Sequence, residues 1–312
     1  MVNGNTPSGL EVASVSHFVN LFRGRGDVYG HNEGRCVKQA LTFQKFIDHL
    51  DGVEPIGVYP VVPSQGDFKV VWGCSDFDTS EAWTHAKNLH DAFQAAGVTA
   101  WIERSRSKGF HVWVFCTELV EASAMRNMFL AAHQVADVPA TEVNPKQTRL
   151  AAGQYGNYVR LPYPNAHDTT ATGQRIIDPT IGPDSIVPFK QFVTAAVGSR
   201  ISPERVREIA AMYVEPPKAT RDIKDYDFED VNLLEAMRQL SPLGQVIWRD
   251  GPLQGQDRST ALSRLGHVCV TSGLNPSQTK AVIKTADQRW GKYHLRSDCE
   301  KQIDNLVMRV HG

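Results

Sequence analysis

Residues 110–115, Phe110-His111-Val112-Trp113-Val114-Phe115, form a near-continuous apolar run broken only by a histidine. A run this short and this apolar reads as a β-strand, with the histidine as its one anomalous residue. A second candidate strand spans residues 68–72. Between the two, Ala82, Ala86, Leu89, Phe93 and Ala96 recur at helical spacing and stop at Gly97, after an Asp78-Thr79-Ser80-Glu81 helix start. Further strands are expected at residues 56–62, 98–102 and 159–161. Helices are expected at 41–50 and along Val120, Ala124, Met128 and Ala132. Residues 23–30 read as a glycine-punctuated basic turn and 103–109 as a charged hairpin. The order predicts an α+β domain with a mixed β-sheet and flanking helices.

This first domain is assigned to residues 1–215, followed by a charged linker at 216–230 and a small all-α accessory domain at 231–312. Asn275-Pro276-Ser277-Gln278 is a capping box with proline at the first helical position. The whole chain has a formal net charge of −1, so its total charge points to no partner. The last segment holds eleven Lys/Arg against seven Asp/Glu, a net of +4. The start of the chain has no basic segment followed by an apolar core, and residues 56–62 are too short to span a bilayer. Neither a signal peptide nor a membrane role is expected. Five cysteines without CxxC pairs read as reduced thiols of a cytoplasmic protein and remove the usual case for zinc.

Chemistry concentrates in four places. Strand alternation in Trp72-Gly73-Cys74-Ser75-Asp76-Phe77-Asp78 sends both aspartates to one face. Adjacent ionised carboxylates are tolerated around a divalent cation, and hard oxygen donors suit Mg²⁺ or Mn²⁺. Asp-x-Asp also occurs in sugar transferases and at exposed strand ends. Second, Ser107-Lys108-Gly109 leads into His111, a turn offering hydroxyl, ammonium and backbone donors to a triphosphate, although Arg104 and Arg106 beside it can equally form a solvated face. Third, Glu142 is a candidate third carboxylate, with Asp137 as its rival. Fourth, Arg160 sits in an apolar strand, where a guanidinium seeks an anion.

Taken together these segments resemble the three motifs of the archaeo-eukaryotic primase superfamily: Asp-x-Asp at a strand end, a Ser/Gly turn into a strand histidine, then a later acid. Residues 21–29 and the Gly156-to-Pro162 stretch are similar to primase-polymerases of phages and mobile elements, in which case the chain works in a bacterial host cytosol. The resemblance implies the primase catalytic fold and a two-metal DNA primase-polymerase that makes and extends primers on a single-stranded DNA template. Asp76, Asp78 and Glu142 would hold the two metals. Ser107, Lys108, Gly109, His111 and Arg160 would bind the NTP or dNTP. Many members have Asp as the third acid, where this chain has Glu142. Arg23 and Arg25, with Arg258 and Lys284 of the helical segment, are candidate DNA contacts. No Gly-Lys-Ser/Thr phosphate loop is present, so a replicative helicase partner would be a separate chain or a deleted segment. The rival functions are a non-catalytic replication initiator on the same fold and a sugar transferase.

Overall fold

The computed structural model describes residues 9–64, 66–106, 109–216, 231–252 and 257–312. Most of the expected linker, residues 217–230, lies outside the described residues, as do Ser107 and Lys108. The chain divides into two compact units, Met1–Glu215 and Pro216–Gly312.

The first unit opens with α1 (Val12–Leu21), β1 (Tyr29–His31), β2 (Cys36–Val37), α2 (Phe43–Leu50), β3 (Ile56–Val58) and β4 (Val62–Ser64). It continues with β5 (Asp67–Phe77), α3 (Ala82–Ala95), β6 (Trp101–Arg104), β7 (Phe110–Glu121) and α4 (Ala122–Ala136). It closes with β8 (Glu142–Asn144), β9 (Val159–Arg160), β10 (Arg175–Ile176), α5 (Phe189–Gly198) and α6 (Pro203–Ala210). One sheet has the order β10-β6-β7-β5-β4, with β8 also on β5, and a smaller one has the order β2-β1-β3-β9.

The α+β architecture is the expected one. The expected mixed sheet is not formed among the described strands, whose sheets are antiparallel. Helix α3 carries the chain from β5 to β6, which points the same way as β5, but the β6–β7 hairpin places β7 between them. Each pairing among the described strands is therefore antiparallel. The β5–β7 ladder is regular from Trp72↔Phe115 to Phe77↔Phe110, then shifts register between Val70 and Trp72. Across that irregularity β7 carries the exposed residues Thr117, Glu118 and Leu119.

Alternation sorts the two strands between two cores. Val112 and Val114 pack with Leu89 and Phe93 of α3 and with Met125 and Phe129 of α4. Trp72, Cys74, Trp113 and Phe115 face the other way, onto Phe18 of α1, Phe192 of α5 and the smaller sheet. Each such fully buried aromatic contributes roughly 2–3 kcal/mol from the area it removes from water.

The second unit is a helical bundle of α7 (Leu233–Gln239), α8 (Pro242–Asp250), α9 (Arg258–Thr271), α10 (Pro276–Trp290) and α11 (Cys299–His311). Its core joins Leu262, Leu265, Ile283, Ile303 and Leu306. The capping box forms as read: Asn275 and Gln278 each accept the other's backbone N–H. No described helix is long and apolar enough to cross a membrane.

Candidate functional site

Pairing registers place the chemistry in one line across the larger sheet. Glu142 of β8 lies opposite Asp76 of β5, Asp76 opposite His111 of β7, and His111 opposite Glu103 of β6. Residues directly opposite in paired strands share a face, so four polar side chains form a row where the Trp72-Cys74 and Trp113 face runs out of apolar cover. Asp78, just past the end of β5, joins them. The row borders a cavity of about 250 Å³, completed by Ser105, Arg106, Asn144, Tyr158, Val159, Arg160 and Gln174.

His111 is held from two sides. Its Nδ1 donates to Glu103 Oε2 at 2.9 Å, and its Nε2 lies 3.5 Å from Asp76 Oδ1. Burial alone would lower the imidazole pKa, but the Glu103 charge and the contacts with Asp76 and Glu103 outweigh it and push the pKa up to about 10. Both carboxylates thus favour the protonated ring. The Nε2–Oδ1 separation is too long for a good hydrogen bond, and Asp76 Oδ1 is buried without a hydrogen-bond partner. Burial, then the negative charges of Asp76 and Glu142, raise the Asp78 carboxyl above its ordinary range, while His111 opposes them.

The smaller sheet supplies the opposite wall. Arg160 Nη2 donates to the Asn32 carbonyl at 3.2 Å, and Arg106 Nη1 donates to Asn32 Oδ1 at 3.1 Å. Arg160 Nε has no hydrogen-bond partner. The Tyr158 hydroxyl donates to the His31 carbonyl at 3.1 Å. Its ring lies so close to β1 and β3 that a Cβ at Gly30 or Gly57 would come within 2.4 Å of it. Those two positions require glycine for close approach.

The structure thus gathers Asp76, Asp78, His111, Glu142 and Arg160 around one cavity. Gly109 N–H donates to Ser105 Oγ at 3.1 Å, at the start of β7 beside Asp78. Asp137, the rival third acid, caps the end of α4 in the left-handed region at φ 52° and does not line the cavity. Arg23 is exposed and donates to Asn20. Arg25 forms a two-pronged pair with Asp27 and lies 4.8 Å over the Tyr155 ring. In the second unit Arg258 donates to the Trp290 and Gly291 carbonyls, and Lys284 pairs with Glu300.

Sequence reasoning missed Glu103 and left Arg106 undecided. The strand expected at 98–102 runs instead over 101–104, which carries Glu103 out of the supposed hairpin and into the core. A carboxylate followed by Arg104 and Arg106 reads as solvent-facing. The available signal was alternation, since Trp101 and Glu103 share a face.

The donor set fits a hard divalent cation in kind: two or three carboxylates, one with an unpaired buried oxygen. Its present arrangement is looser. Glu142 is paired with Lys146, and among the described residues no three His, Cys, Asp or Glu side chains are gathered as a metal-binding group.

Residues 34–176 match the family model described as "TOTE conflict system, Archaeo-Eukaryotic Primase domain". That span contains Asp76, Asp78, Glu103, His111, Glu142 and Arg160. No curated protein matches the chain. Among solved structures the chain is similar to one titled "Crystal structure of primase RepB'", at 10% identity over 95% of this chain and 93% of that one, with a TM-score of 0.31. That overlap is too low to carry an argument about the site. The motifs and the in-register row both fall within residues 34–176, the span that matches the archaeo-eukaryotic primase domain.

Proposed function

We propose that this chain is a DNA primase-polymerase that transfers nucleotides from NTPs or dNTPs to a 3′-hydroxyl on a single-stranded DNA template. The observation that carries the reading is the row Glu142–Asp76–His111 with Asp78 beside it, carboxylates and one imidazole facing a single cavity. Asp76 and Asp78 would hold Mg²⁺ or Mn²⁺, joined by Glu142 once it leaves Lys146. When bound, the ions supply Lewis acidity at the attacking hydroxyl and neutralise the leaving pyrophosphate.

The protein's own part is positioning and charge. His111 Nε2 donates to a phosphate oxygen, a charge-assisted bond that also draws the triphosphate toward Asp76. Arg106 and Arg160, bracketed by Asn32, meet the remaining phosphate charge, and Arg160 Nε is a free donor for it. Ser107, Lys108 and Gly109 remain candidate phosphate contacts on the motif resemblance, Ser107 and Lys108 lying outside the described residues. Arg23 and Arg25 remain candidate contacts for the template strand.

A second reading, nucleic-acid binding without turnover, is favoured by one observation: Lys146 already neutralises Glu142. Primer synthesis and primer extension with labelled nucleotides and Mg²⁺ or Mn²⁺ separate the two. Product is expected from the wild type, and Asp76→Ala or Asp78→Ala should cut it by about a thousandfold with the fold intact. Template binding with no product from either a bare or a primed strand would establish the second reading instead.

A further inference from the structure

We propose that Glu103 is a positioning residue for the transfer reaction, fixing the His111 ring through Nδ1 so that Nε2 is presented to the cavity and to Asp76. The inference rests on the primase-polymerase reading for its consequence in catalysis, though not for the contact itself. Glu103 is 0% exposed. Taking a lone carboxylate out of water costs several kcal/mol, so a purely structural role would be better served by a neutral acceptor.

Its bonding shows where that carboxylate is directed. Oε2 accepts from His111 Nδ1 at 2.9 Å and from Trp113 Nε1 at 2.7 Å, while Oε1 has no hydrogen-bond partner. Both donors are on one face of β7, two residues apart, and the β6–β7 register sets Glu103 opposite His111. The Trp113 ring stands at 87° to the imidazole, 5.7 Å away, and limits its swing. With Nδ1 committed to Glu103, only Nε2 can meet a ligand. Removing the acceptor leaves a buried Nδ1–H without a partner and frees the ring to turn.

Two measurements on the full chain test this. The first is steady-state nucleotide incorporation on primed single-stranded DNA by Glu103→Leu, Glu103→Gln, His111→Ala and the double variant Glu103→Leu/His111→Ala. Glu103→Leu should raise nucleotide KM by about tenfold, the size expected for a charge-assisted bond lost at second hand. Glu103→Gln, whose amide oxygen can accept both bonds, should recover most of that loss. The double variant should be no worse than His111→Ala, because Glu103 acts through that ring. Additive losses would overturn the proposal, as would an unchanged KM in folded Glu103→Leu.

The second measurement is nitrogen NMR of the histidine rings. His111 should carry a protected Nδ1–H in the wild type and in Glu103→Gln. A ring protonated only at Nε2 would overturn the proposal, even if Glu103→Leu fails to fold. Absence of synthesis by the wild type would sink the primase-polymerase reading and leave the ring measurement to decide on the contact.

Discussion

A Cβ built at Gly109 would lie 2.3 Å from Asp78 Oδ1 and 2.4 Å from the Phe77 carbonyl oxygen. No real side chain occupies such a position without moving one of them. Gly109→Ala should therefore cost about 1–3 kcal/mol in unfolding free energy and, by shifting Asp78, reduce nucleotide incorporation about a hundredfold. Denaturation and incorporation assays on the same preparation check both, and wild-type activity would show that Asp78 can move freely. At this scale the sequence was informative where a residue type was anomalous for its setting. Two aspartates at a strand end, a histidine inside an apolar run and an arginine beside Val159 and Leu161 all stood out, and all reached one cavity. Glu103 did not stand out, because its burial depends on β7 and β10 pairing with β6 on either side, and no local pattern encodes those contacts.

Among the elements, α2 is fastened to the smaller sheet by a histidine. His49 Nε2 donates to the Pro162 carbonyl at 2.8 Å, and Nδ1 accepts the Ile56 N–H at 3.1 Å. The bond accepted by Nδ1 needs a neutral ring, and burial lowers its pKa from 6.5 to about 4. A histidine held neutral in the fold costs nothing above the unfolded pKa. Below it, the unfolded chain takes up a proton that the fold refuses. Stability should fall as pH drops from 6.5 towards 4, by up to about 3 kcal/mol from His49. His133, also lowered to about 4, adds in the same direction. Urea titrations at pH 7 and pH 4.5 should therefore show a smaller pH dependence in His49→Asn than in the wild type. An equal dependence would place the effect elsewhere. Elements with strong periodicity were legible: α2, α3, α4, the capped α10 and strands β5 and β7 stand close to their expected places. Helices α1 and α5 and the two-residue strands β2 and β10 were not expected. Their stability comes from packing on Trp113 and Phe115 or from two ladder pairs apiece, which leave little trace in the local sequence.

For the whole molecule, both cores of the first unit are built from residues before 216, and the core of the second from residues after 230. A chain ending at Pro216 should keep a single cooperative thermal transition, measurable by calorimetry, and an aggregated or unfolded product would show that the units depend on each other. If Arg258, Lys284 and their neighbours bind the template, that shortened chain should also bind single-stranded DNA more weakly and with a shallower salt dependence. Equal priming by the two chains would remove the second unit from template binding. The partners that Arg258, Lys284, Arg289 and Arg296 find inside their own unit lower the number of charges at liberty for that task. The register shift in the β5–β7 ladder bears on how this fold can change its length. Loss or gain of a residue at 117–119 falls beyond the shift and can be absorbed there, since those residues are exposed. The same change at 112–115 would turn His111 into one core while its neighbours stayed put. Variation in chain length is thus permitted at one end of β7 and forbidden at the other, and the irregularity marks the boundary between them.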